Sequence, residues 1–209
     1  MRRLPDRVAL TDFGAGESRV VELGAFYRQS RVDAFSSRIL FHLVRELRPS
    51  KAIELGTCSG LSAAHQAAAL ALNDSGRLVT IEGDGELARR AAESLRLLGL
   101  DRAKVRHGRF DVVLPEVCAE MGTVDYVFND GHHQEEPTIR YFEMMLPYLA
   151  DGATVVLDDI NWSDGMKRAW RTLSAHPRVE ATVNLFRMGI LRLGALESAP
   201  RHYRPLRPA

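Results

Sequence analysis

Apolar and polar positions alternate on two different periods along this chain. From residue 51 onward, short apolar runs take turns with longer amphipathic stretches, the rhythm of strand and helix. KAIEL predicts a strand, and the Ala-rich stretch Ser62–Leu72 predicts a helix that NDSG ends. RLVTIE predicts the next strand, and Glu86–Leu98 a helix closed by Gly99. KVRHG is followed by a helix near Val112–Met121, and VDYVFND by a helix over Thr138–Leu149. ATVVLDD precedes a helix over about Asp164–Ala175. VEATVNLF and RMGILRLG then read as two extended runs able to pair as a hairpin. Upstream, Phe35, Ile39, Leu43 and Leu47 recur on one face, so Val32–Leu47 is an amphipathic helix that Pro49 stops. Residues 1–31, with Gly14, Gly16 and Gly24, read as an irregular arm.

Strands alternating with helices imply right-handed crossovers and an α/β architecture with a mostly parallel sheet. The runs VVL and YVF lack polar alternation, as strands buried on both faces do. Composition agrees: 45% of the 209 residues are hydrophobic and 26% are charged. A net charge of +1 gives no field that would draw nucleic acid or an anionic membrane. The locally basic Arg201–Arg207 stretch reads as a solvated tail. Cys58 and Cys118 do not make a disulfide framework, so a reducing cytoplasm is the expected location. No apolar stretch is long enough to span a bilayer, and no signal peptide is expected from the polar start.

In a parallel sheet, ligands sit beyond the carboxyl ends of the strands. Here those ends carry Glu54-Leu55-Gly56-Thr57-Cys58-Ser59-Gly60, then Glu82-Gly83-Asp84, then His107-Gly108-Arg109-Phe110. The fourth end is Asn129-Asp130-Gly131-His132-His133, and the fifth Asp158-Asp159-Ile160-Asn161-Trp162. Gly56 and Gly60 let a ligand approach the backbone, and the helix that follows offers free N–H groups. Glu82 stands where an acid accepts bonds from both ribose hydroxyls, so this pair points to an adenosine-containing ligand. A dinucleotide oxidoreductase would prefer a glycine at the position Cys58 holds, whereas a sulfonium tolerates the acids Glu54 and Asp130.

AIELGTCSG followed by TIEGD resembles the first two motifs of class I S-adenosylmethionine-dependent methyltransferases. FNDGHH and PTIRYFEMMLPYLADGATVVLDDINWSDGMKRAW are similar to the small bacterial O-methyltransferases, and the similarity runs from about residue 33 to 193. The resemblance implies a Rossmann-like, doubly wound, seven-stranded sheet with an antiparallel C-terminal hairpin strand. It also implies one domain over 1–209: an arm at 1–31, a leading helix at 32–48, a cofactor-binding core at 51–193 and a basic tail at 198–209. S-adenosyl-L-methionine would be held by Glu54, Gly56, Thr57, Ser59, Gly60, Glu82, Gly83, Gly108, Arg109, Phe110 and Asp130. Glu54 and Gly56 would line its methionine end, and Phe110 with Gly108 and Arg109 would lie near adenine.

Asp130, Asp158 and Asp159 end adjacent strands in such a sheet. Three ionised acids repel unless a cation or a proton sits among them, and oxygen ligands suit Mg²⁺ or another hard divalent cation. The resemblance carries metal ligation to these three residues, and the position of a catalytic base to His133. An imidazole takes a hydroxyl proton near neutral pH. The alternative reading has Asp158 and Asp159 capping the loop that follows, with His133 only shaping the pocket. His132 has the same chemistry at the wrong offset. His65 reads as a surface or packing residue of its helix, and Cys58 as a small buried one. Trp162, Ser163 and Met166 either wall an acceptor pocket or pack under their loop, and the arm around Phe26 and Tyr27 serves as a lid or a dimer contact. The acceptor expected is a small molecule with a hydroxyl, with no nucleic-acid or membrane partner and with room for a homodimer. A catalytically silent cofactor-binding partner protein and a metal-independent methyltransferase are the competing readings.

Overall fold

A computed structural model describes residues 7–12, 17–30, 32–194 and 201–203. In chain order its elements are β1 (Arg7–Asp12), β2 (Glu17–Glu22), α1 (Leu23–Ser30), α2 (Ala34–Leu47), β3 (Lys51–Leu55), α3 (Leu61–Leu72), β4 (Arg77–Glu82), α4 (Gly85–Leu97), β5 (Ala103–His107) and α5 (Phe110–Met121). There follow β6 (Val124–Asn129), α6 (Glu135–Met145), a 3₁₀ turn (Leu146–Tyr148), β7 (Leu149–Leu157), α7 (Asp164–Ser174), β8 (Val179–Leu185), β9 (Met188–Leu193) and β10 (Arg201–Tyr203). The main sheet has eight strands in the order β10-β8-β9-β7-β6-β3-β4-β5. The winding direction reverses between β3 and β6, the place where doubly wound sheets open a crevice. Among the described residues, no helix is long and apolar enough to cross a membrane.

Contacts divide the chain into two compact units, Met1–Pro49 with Gly56–Val113, and Ser50–Leu55 with Leu114–Ala209. In the first, β4 and β5 pair in parallel, and Leu40, Val44, Leu70, Leu78, Ile81 and Ala91 are fully buried. Asp33 caps α2 by accepting from the N–H groups of Phe35 and Ser36, which satisfies donors the first helical turn leaves free. In the second unit, β3, β6 and β7 pair in parallel, and β7, β9 and β8 pair antiparallel. Ile53, Leu55, Val127, Phe128, Val155 and Val156 have no exposure, which accounts for the unbroken apolar runs. Burying side chains of this size contributes roughly 1.5–3 kcal/mol each.

Three segments differ from expectation. The described part of the N-terminal arm is ordered: β1 and β2 form an antiparallel hairpin and α1 follows directly. Leu10 and Leu23 bury against Leu87 of α4, with Val8, Val21, Phe26 and Tyr27 packed around them. The hairpin is thus held by a tertiary contact rather than by local pattern. Gly14 and Gly16, which suggested irregular chain, lie outside the described residues. The sheet has an eighth strand because Arg201–Tyr203, expected to be loose tail, pairs in parallel with Ala181–Val183. Thr182 Oγ1 and His202 Nδ1 meet there at 2.8 Å. The helix expected to reach Leu149 stops at Met145, because Pro147 lacks an N–H for a further turn and Leu149 already opens β7.

Candidate functional site

In the first unit, the loop leaving β3 is built by backbone torsions as much as by side chains. Gly56, Cys58 and Gly60 all have positive φ, at 93°, 48° and 77°. Glycine adopts that region freely, and Cys58 does so at a cost. A Cβ on Gly60 would approach the Cβ of Ala91 at 3.2 Å, so the start of α3 packs closely on α4. Gly56 N–H donates to Ile81 O at 3.0 Å, and Thr57 and Thr80 share a 2.6 Å hydroxyl contact. Glu82, expected to hold a ribose, closes the loop: its Oε2 accepts from Cys58 N–H at 2.8 Å and its Oε1 from Asp84 N–H at 2.9 Å. Burial raises its carboxyl above the ordinary value, while those N–H groups pull it back. Asp84 Oδ1 caps α4 through Glu86 and Leu87, and Asp84 Oδ2 accepts from Thr11 N–H at 2.7 Å, so the hairpin is fastened two residues from Glu82.

Gly108 N–H donates to Glu82 O at 2.9 Å, and a Cβ at Gly108 would meet Val113 Cγ2 at 2.4 Å. Arg109 forms a forked pair with Asp111, and Phe110 opens α5 half-buried. Ser59 and Gly60 also border a cavity of about 310 Å³ whose other walls are Tyr27, Arg28, Leu61, Ala64, Ser94, Leu95 and Leu98. Tyr27 reaches this loop from α1. Burial raises its phenol first, and the proximity of Cys58 raises it further. The sequence placed Tyr27 in the arm, and its position beside Cys58 had no local signal.

In the second unit, three strand ends fall in step. Leu55 pairs with Asn129 and Asn129 with Leu157. Asp130 N–H donates to Leu55 O at 2.9 Å and Asp158 N–H to Asn129 O at 3.0 Å. β6 and β7 therefore deliver Asp130 and Asp158 to neighbouring positions at the rim. His133 lies between two carboxylates, with Nε2 at 3.7 Å from Asp130 Oδ1 and Nδ1 at 3.8 Å from Asp159 Oδ2. Asp130, His133 and Asp159 offer ligand atoms within 4.8 Å of one another. Two carboxylates and an imidazole are a donor set that fits a divalent cation. Asp158 is placed differently: its side chain has no exposure, and both its oxygens are engaged by Arg187, at 3.0 and 2.9 Å.

Burial holds the Asp130 carboxyl well above its ordinary value, reinforced by the charges of Asp158, Asp159 and Glu54 and opposed by Arg187. Glu54, fully buried on β3, also adds to the burial that pushes the Tyr126 phenol up. His132 adopts φ 60° and meets Tyr141 OH at 2.8 Å through Nδ1, stacking on that ring, so it is anchored to α6. Met166 is buried against Thr138, Ser163 caps α7, and Trp162 is 73% exposed, so of these three only Trp162 is free to meet a ligand. His65 bonds to Leu61 O on its own helix. Arg187 had been read only as part of an extended run. Its one sequence cue is a charge set between Phe186 and Met188.

Residues 53–160 match the family described as a methyltransferase domain. No curated protein matches the chain. Among solved structures, the O-methyltransferase TomG from Streptomyces achromogenes, involved in tomaymycin synthesis and solved with SAM, is 24% identical with a TM-score of 0.70, covering 83% of this chain and 88% of that one. The O-methyltransferase from Bacillus cereus solved with SAH is 22% identical with a TM-score of 0.67, covering 82% and 86%. The SAH-bound methyltransferase PaMTH1 from Podospora anserina is 16% identical with a TM-score of 0.69, covering 82% and 86%. The Rossmann-like fold is common to all of them.

Proposed function

Since this chain belongs to the methyltransferase domain family, we propose that it moves the methyl group of S-adenosylmethionine to a hydroxyl of a small molecule. The observation that carries this reading is the imidazole of His133 held between Asp130 and Asp159 at the ends of β6 and β7. A packing role requires no such arrangement. Gly56, Gly60 and Glu82 are the residues assigned to the nucleoside, because the positive-φ loop that carries the two glycines is tied to Glu82, whose carboxylate is a ribose acceptor. Glu82 already holds two N–H groups, so a ribose diol has a carboxylate fixed in place to meet.

His133 takes the proton of the acceptor hydroxyl, and the resulting oxyanion attacks the methyl carbon in line while S-adenosylhomocysteine leaves. Asp159 and Asp130 flank the ring and orient it. Asp130 and Asp159 are also the residues that would hold a divalent cation, which when bound acts as a Lewis acid on the hydroxyl. Much of the rate then comes from positioning the two reactants. A second reading has His133 as third ligand of the cation, favoured by the short distances within Asp130, His133 and Asp159.

The test is formation of S-adenosylhomocysteine with a panel of phenol, catechol and sugar acceptors. His133→Asn is expected to lower kcat by about 10²–10⁴ and to remove the acidic limb of the pH profile. If His133 is a ligand instead, the variant loses divalent binding together with activity. An unchanged kcat would remove His133 from the chemistry altogether.

A further inference from the structure

The acidic rim of the second unit has a cation of its own. Arg187 lies in the turn between β8 and β9 and grips Asp158 in a fork, Nε to Oδ1 at 3.0 Å and Nη2 to Oδ2 at 2.9 Å. Its Nε also lies 3.3 Å from Asp159 Oδ1, the oxygen on the other side of the carboxylate from His133. This placement is built into the backbone. Ile160 N–H donates to Arg187 O at 2.9 Å, the Asn161 side-chain amide donates to Phe186 O, and Phe186 N–H donates to Asn184 Oδ1 at 2.9 Å. Phe186 and Asp159 both carry positive φ, at 68° and 52°, so each loop holds a strained residue where the two are joined. The pairing raises the Arg187 guanidinium further above its ordinary value, through the bond to Asp158 first.

We propose that Arg187 is a tethered counter-cation that sets the divalent-ion affinity of this rim. By occupying Asp158 it restricts an incoming ion to Asp130, Asp159 and His133, and by sharing Asp159 it opposes the charge of that ion. The inference rests on the reading of Asp130 and Asp159 as a cation site. Hard divalent ions gain affinity with each carboxylate. Without Arg187, Asp158 becomes available as a further carboxylate and a like charge a few ångströms away is gone. The residue therefore decides how far the chain depends on an external cation.

The experiment is calorimetric titration of Mn²⁺ and of Mg²⁺ into the chelator-treated full chain, with circular dichroism to verify folding of each variant. Arg187→Gln is expected to bind Mn²⁺ at least about tenfold more tightly than the wild type, the scale of removing one like-charge neighbour. The gain is expected to vanish in Arg187→Gln combined with Asp158→Asn. Arg187→Lys keeps the charge and should stay near the wild type. Equal affinity in the wild type and Arg187→Gln would overturn the role of Arg187 and leave the cation site standing. Binding to Arg187→Gln alone would support that role and withdraw the divalent ion from the proposed mechanism. No binding to either protein would overturn both. If Arg187→Gln does not fold, Asp158→Asn in the native background decides the matter: Arg187 is released onto Asp159 and Mn²⁺ binding weakens, whereas unchanged or tighter binding overturns the inference.

Discussion

Burial and the charges of Asp158, Asp159 and Glu54 hold the Asp130 carboxyl well above the usual carboxylate range. The folded chain therefore binds a proton there more tightly than the unfolded chain does. That contribution is full below the unfolded value, near 3.8, and is lost as pH rises through the folded value. Once ionised, the group works against the ligand-free fold. Asp130→Asn is expected to raise the melting temperature at pH 8, by about 2–4 °C for each kcal/mol of repulsion relieved. The difference should shrink toward pH 4 in melts followed by circular dichroism, while divalent binding and turnover fall. Gly108 is constrained in the other sense. At φ 144°, with Val113 Cγ2 at 2.4 Å from any added Cβ, Gly108→Ala should cost roughly 2–4 kcal/mol in a urea melt. Asp130 and His133 were legible because they stand in one short segment at the end of an apolar run. Arg187 was not, because its partner Asp158 is 29 positions away and the pair forms only when β9 lies beside β7.

Most element boundaries followed from period and punctuation. Gly99 and Pro49 end helices where the pattern says they must, and β3, β4 and the start of α7 agree to the residue. The hairpin β1–β2 did not follow, since its strands are short and half-exposed and gain stability from tertiary contacts such as Leu87. Asp84 also ties the hairpin to α4: it caps the helix with Oδ1 and holds Thr11 N–H with Oδ2. Asp84→Ala is expected to lose about 1–2 kcal/mol of stability. Amide exchange should also speed up at Thr11 and along β1 more than along β5. Uniform loosening of both would mean that the hairpin is held by its apolar contacts alone.

For the molecule as a whole, ligand linkage is the most direct check on the class. S-adenosylhomocysteine at about a hundred times its Kd should stabilise the folded chain by roughly 2.7 kcal/mol, and NAD at the same concentration should add nothing comparable. Glu82→Ala should abolish most of that shift in a thermal-shift measurement, because it removes both the ribose acceptor and the anchor of Cys58 N–H. The alternation of strand and helix, the acids and glycines at the strand ends and the candidate base were all readable from the residues. Period and turn chemistry are local, and a parallel sheet directs every strand end to one rim. That Arg187 takes both oxygens of Asp158, that Tyr27 comes beside Cys58, and that Arg201–Tyr203 extends the sheet were decided only by tertiary packing. Those pairings join residues far apart in sequence, and a charge or an edge strand carries no mark of its partner until the backbone brings the two together.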